Sequence, residues 1–208
     1  VVGAPVTAER LRAETLDPKQ IRTVTGRGGE MLKFDGFTVE PILARHGEPP
    51  AEVTRAFSSA LQATAPPPTP EQLAEQRVIS ARGTSDPRVV GEGTIAYLIT
   101  LDTGFRILYR DSGGKVTESE RAAAMRSGSV DLILAATSAS YLTRAVVDQA
   151  LEYVATYRPR AFMPAHHDAA FNNLWRPTEP IFQAIKDQYP SILTISKGYR
   201  EPVWLRTE

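Results

Sequence analysis

The 208-residue chain balances 24 lysines and arginines against 24 aspartates and glutamates, and its 42% hydrophobic and 23% charged residues are those of an ordinary globular domain. Zero net charge argues against nucleic acid or an anionic membrane as partner, and no apolar run approaches the roughly 20 residues of a membrane helix. With no cysteine, a disulfide framework, a thiolate metal site and a cysteine nucleophile are excluded, so a metal would sit on nitrogen and oxygen.

The opening Val1, Val2, Gly3, Ala4, Pro5 reads as a buried strand entering a turn. Without an initiator methionine, an interior start is expected, left by proteolysis, maturation or trimming of an upstream segment. No basic segment followed by an apolar one opens the chain. The chain is therefore expected to be soluble, either cytoplasmic or exported.

Thr7 is placed to cap a helix over 8–14, and Asp17 with Pro18 to begin a second short one. Apolar stretches at 31–34 and 37–44, joined by Asp35 and Gly36, predict a β-hairpin. From 48 to 92 the character changes: Pro49, Pro50, Pro66, Pro67, Pro68 and Pro70 interrupt it, and only Thr69 suggests a capped helix, running to about 76. Such an insertion serves as a lid, a substrate-facing element or an oligomer contact, or is a surface excursion with no role. A homo-oligomer is thus among the forms the sequence admits.

Beyond the insertion, β-rich stretches at 94–101 and 105–109, joined through Asp102, Thr103 and Gly104, predict a second hairpin. Thr117 and Glu120 form a capping box for a helix ending near Gly128, and 131–136 is a buried-strand run. Leu142, Val146, Ala150, Leu151 and Val154 recur at helical spacing until Pro159. A short strand over 161–163, a loop, a helix near 180–189 and strands at 192–195 and 203–205 complete the series. Hairpins first, then alternating strands and helices, predict a layered α/β protein whose sheets pack together with helices outside.

All three histidines come just after predicted strands: His46 after TVEPILAR, and His166 and His167 after AFMPA. A further strand, FRILYR, ends at Asp111. Side chains at strand ends project into clefts, and imidazole with carboxylate is the ligand set that zinc, iron or manganese takes without cysteine. Singly, each residue reads equally well as a capping or turn residue. Their joint occurrence points to a metal site.

The ordered set ILARHG, FRILYRDSGG, PRAFMPAHHD resembles the later motifs of the metallo-β-lactamase superfamily of metal-dependent hydrolases, over most of the chain. The resemblance implies an αββα sandwich comprising a single domain over 1–208, incomplete at its N-terminus and carrying an insertion around 48–92. By position it implies His46, Asp111 and His166 as metal ligands, with Asp111 bridging two ions and Asp111 and His166 catalytic. His167 is the alternative terminal ligand. His167 and Asp168 are otherwise expected to orient a metal-bound imidazole, to face substrate, or to be plain loop residues. Arg110 stands where the family has glycine.

The signature His-x-His-x-Asp-His that supplies the remaining ligands is absent from these residues. The resemblance therefore implies an N-terminal fragment of the same precursor as partner, completing a site for two Zn²⁺ ions, or Fe or Mn, or else a truncated, metal-poor form. The expected activity is hydrolysis of a small-molecule ester, lactone, amide or phosphoester by metal-activated water. The general base is not identifiable within the chain. The competing expectation is a non-catalytic binding or assembly module that keeps the fold. A serine hydrolase has little support without a Gly-x-Ser-x-Gly elbow. The insertion and the loop over 172–175, with Trp175, are the expected pocket walls.

Overall fold

In the computed structural model, residues 1–13, 16–47, 70, 73–74, 77–78, 88, 92–137, 144–165, 178–196 and 201–205 are described. The chain opens with β1 (Val2–Gly3) and helix α1 (Pro5–Ala13). The helix starts before the Thr7 cap expected for it, because Pro5, with its fixed φ and no N–H to leave unpaired, suits a first helical position. Asp17 does cap, accepting from the Lys19 amide at 2.9 Å, but the element it caps is a single 3₁₀ turn, Pro18–Gln20. Strand β2 (Arg22–Thr23) then pairs in parallel with β1.

The expected first hairpin is β3 (Leu32–Phe34) and β4 (Phe37–Ala44), turned by Asp35 and Gly36 with Gly36 at φ 83°. The positive φ is what a two-residue hairpin turn demands and glycine supplies. The insertion, including most of the helix expected after Thr69, lies largely outside the described residues. Strands β5 (Thr94–Leu101) and β6 (Arg106–Arg110) form the second hairpin, and β5 also pairs with β4 along its whole length.

From β6 onward the sheet is parallel, with a helix in each crossover. Helix α2 (Glu118–Ser127) leads to β7 (Leu132–Ala136), α3 (Arg144–Tyr157) to β8 (Ala161–Ala165), and α4 (Glu179–Gln188) to β9 (Leu193–Thr194). The Thr117 and Glu120 capping box begins α2, and Gly128 closes it. The result is a seven-stranded sheet in the order β3-β4-β5-β6-β7-β8-β9 beside the two-stranded β1-β2 pair. The strand expected at 203–205 is not one: among the described residues it has no ladder partner, and Val203 and Leu205 instead pack against the cluster of Phe105, Leu132, Ala161 and Ile195.

Period-2 alternation divides the sheet into two apolar faces. Ile42, Ala96, Leu98, Leu108, Ile133 and Phe162 point to the face covered by α2, α3 and α4 and are fully buried there. Val146, Ala150, Tyr153, Val154 and Tyr157 of α3, at helical spacing, and Ile181 and Ile185 of α4 close that core. Each large side chain fully buried there contributes roughly 1.5–3 kcal/mol. Ile95, Tyr97, Ile99, Ile107, Tyr109, Leu134 and Met163 point to the opposite face and are half-buried. There the Tyr97 hydroxyl donates to the Val2 carbonyl at 3.1 Å, anchoring β1.

Candidate metal centre

β4 and β6 both run antiparallel to β5, so they run parallel to each other, and β7 and β8 run parallel to β6. The C-terminal ends of β4, β6, β7 and β8 therefore share one edge, or rim, of the sheet, the edge at which open α/β sheets carry their ligand sites. His46 lies two residues past β4, and Asp111 comes directly after β6. β8 reaches the same rim at Ala165, whose carbonyl accepts from the Thr137 amide at 2.8 Å. His166, His167 and Asp168 lie outside the described residues.

Backbone contact brings the first two loops together. A Cβ on Gly47 would lie 2.7 Å from the Gly113 carbonyl oxygen. One on Gly114, whose φ is 152°, would overlap the Arg45 carbonyl oxygen and lie 3.1 Å from the Gly47 nitrogen. Only glycine permits this approach, so the His46 and Asp111 loops are mutually seated. Both side chains are exposed. The Asp111 carboxylate is near enough to the Tyr109 hydroxyl to add its charge to the burial that already pushes that phenol up. An open groove of about 800 Å³ adjoins the rim, lined by Arg45, His46, Lys115, Asp148, Gln149 and Glu152.

Beneath the rim lies a hub that the sequence motifs do not announce. Arg110 is 1% exposed and Glu120 0%, and they pair at 2.8 Å between Nε and Oε1. The Arg110 guanidinium also donates to the Ser112 carbonyl, to the Tyr153 hydroxyl at 2.5 Å and, at 3.4 Å each, to the carbonyls of Arg45 and Lys115. It lies over the Tyr153 ring, 4.5 Å from its centroid. Burial alone would lower the Arg110 pKa, but the hydrogen bond and charge of Glu120 reverse this and hold it above the usual value. The available signal was alternation: Arg110 falls on the same face as Leu108, the helix-covered one.

The donor set at the rim, an exposed imidazole and an exposed carboxylate on loops in backbone contact, suits a divalent ion with nitrogen and oxygen ligands. Among the described residues no three His, Asp or Glu side chains lie close enough to hold one.

No family model matches the chain, and no curated protein matches it. Solved structures do. The chain is similar to Igni18, a metallo hydrolase from the archaeon Ignicoccus hospitalis, with a TM-score of 0.55 at 11% identity over 94% of this chain and 64% of that one. YhfI from Bacillus subtilis, a metallo-β-lactamase fold protein, aligns with a TM-score of 0.52 at 11% identity over 94% and 61%. Isothiocyanate hydrolase from Delia radicum gut bacteria aligns with a TM-score of 0.54 at 10% identity over 95% and 64%. The chain thus has the metallo-β-lactamase fold, the α/β class its motifs implied, and it spans less than two thirds of the length of these structures.

Proposed function

We propose that this chain is the larger part of a metal-dependent hydrolase of the metallo-β-lactamase superfamily, acting on an ester, lactone, amide or phosphoester. The observation that carries this reading is the seating of the His46 and Asp111 loops against each other at the sheet edge where β8 also ends. His46, Asp111 and His166 would hold the metal, with His167 the alternative to His166. An upstream polypeptide carrying His-x-His-x-Asp-His would complete the site as the partner of this chain.

Zn²⁺, or Fe or Mn, bound there would supply Lewis acidity and a water deprotonated near neutral pH. The residues of this chain have their own parts. Asp111 brings carboxylate oxygens to a bound cation, and His46 an imidazole nitrogen from the other loop. The groove beside His46 would receive the substrate, with Arg45 and Lys115 on its rim able to orient an electronegative group.

Metal analysis of the intact protein tests the reading. About two ions per chain are expected, with Asp111→Ala and His46→Ala each lowering that stoichiometry together with turnover. Full occupancy in Asp111→Ala would defeat it. A second reading is a binding or assembly module that keeps the fold without the metal. Metal-replete intact protein that takes up no ion would favour it.

A further inference from the structure

We propose that Arg110, held by Glu120, is a positioning residue that fixes His46 relative to Asp111 by tying their two loops together from beneath. This rests on the metal-site reading above. The guanidinium reaches the carbonyls of Ser112 and Lys115 on the Asp111 loop and, at 3.4 Å, the carbonyl of Arg45 on the His46 loop. Tyr153 extends the tie. Its hydroxyl accepts from the Gly114 amide at 3.1 Å, donates to the Gly114 carbonyl at 2.6 Å and receives Arg110 at 2.5 Å. The Thr117 hydroxyl donates to the Leu43 carbonyl at 2.7 Å, binding the end of β4 to the start of α2.

Stability alone does not account for this arrangement. A buried ion pair is often no better for folding than packed apolar side chains of the same volume. What an apolar pair cannot do is satisfy loop carbonyls from two separate segments. A planar fork with five N–H donors serves both loops at once. Ligand geometry at a metal is sensitive to the groups that orient the ligands, and losing one weakens metal affinity roughly 10- to 100-fold.

The test uses the intact protein and two variants: the paired apolar replacement Arg110→Met with Glu120→Leu, and the milder Tyr153→Phe. Should the paired variant fail to fold, Tyr153→Phe carries the test alone. The zinc dissociation constant is measured by chelator competition, and amide hydrogen exchange at Gly47, Gly113 and Gly114 is tracked in metal-free protein. Ile185→Val in α4 serves as a control that perturbs the same core without touching either loop.

Weaker zinc binding by roughly 10- to 100-fold with faster exchange at those three glycines, neither appearing in Ile185→Val, supports the positioning role. Zinc affinity and exchange unchanged in both variants, while Asp111→Ala abolishes uptake, would overturn it and leave the metal reading intact. Unchanged zinc uptake in Asp111→Ala would sink the metal reading, and the positioning role with it.

Discussion

Arg110 and Glu120 show how unequal two ion pairs of similar length are. Removing one member of a buried pair strands the other charge in a medium that solvates it poorly, at a cost of roughly 3–5 kcal/mol. Glu120→Ala is therefore expected to lower the free energy of unfolding by about that much, and somewhat more because the same carboxylate closes the α2 capping box through the Thr117 amide at 2.8 Å. Arg121 and Glu152 also pair, at 2.7 Å, but nearer solvent, their side chains 52% and 29% exposed. Arg121→Ala is expected to cost under about 1 kcal/mol. Urea unfolding of both variants checks the contrast, and similar losses would count against it. Gly114→Ala is a backbone case: with its φ and the Arg45 carbonyl in the way, it is expected to cost about 1–3 kcal/mol in the same assay. Sequence foresight at this scale was uneven for a physical reason. The capping box was legible because both partners lie within one turn, and the places of His46 and Asp111 just beyond β4 and β6 because each follows a β-rich run. The Arg110 hub was not, because its partners at Arg45, Glu120 and Tyr153 are joined only by tertiary packing.

Helix α3 carries that hub into the core, and its two tyrosines give it a pH signature. Tyr153 and Tyr157, four residues apart on one face, are each 1% exposed. Burial pushes both phenols up; the Glu120 charge reinforces this, and Arg110 opposes it without cancelling it. In the unfolded chain a tyrosine loses its proton near about pH 10. In the native chain these two keep theirs well beyond that. Above that pH the unfolded state binds fewer protons than the native one, so stability falls as pH rises; below it the two states match and the slope vanishes. The free energy of unfolding in urea is accordingly expected to be flat between about pH 7 and 9 as far as these groups are concerned, then, above about pH 10, to fall by about 1.4 kcal/mol per pH unit for each tyrosine. The double variant Tyr153→Phe with Tyr157→Phe should flatten that limb, leaving the smaller contributions of Tyr97 and Tyr109, whose phenols burial also pushes up. An alkaline slope the same in the double variant would contradict the assignment. At this scale local signals predicted well where an element has both its own start and its own stop, as with Asp35 and Gly36 or Thr117 and Gly128, and less well at Thr7, where the helix begins earlier, at Pro5. They failed at 203–205, where apolar residues pack against a core cluster but, among the described residues, have no strand partner, a distinction that alternation cannot make.

For the whole molecule the decisive feature is a sheet apolar on both sides. Strands such as TIAYLITL bury one set of side chains under three helices and leave the other set half-buried, and on LILAA Leu134 of that second set is half-buried between the buried Leu132 and Ala136. A sheet of this kind needs cover on both faces. Among the described residues the second face is met by β1 at Tyr97 and by Val203 and Leu205 near Leu132. An upstream segment that completes the metal site, as proposed, would bury Ile95, Ile99, Ile107 and Met163 as well, so catalytic completion and folding would be one event. At 25 cal/mol per Å², even about 300 Å² of newly covered apolar surface is worth on the order of 7 kcal/mol before ordering costs. The 208-residue chain produced alone is then expected to bind an apolar fluorescent dye through this face. Adding a polypeptide that carries His-x-His-x-Asp-His should displace the dye and raise the thermal midpoint, and with zinc present the two effects should grow together. Replacing Ile99 and Ile107 by serine should weaken dye binding and block the rescue, whereas Met125→Ser on the exposed side of α2 should do neither. Dye binding that persists undiminished in the upstream polypeptide's presence would mean that this polypeptide does not cover the face.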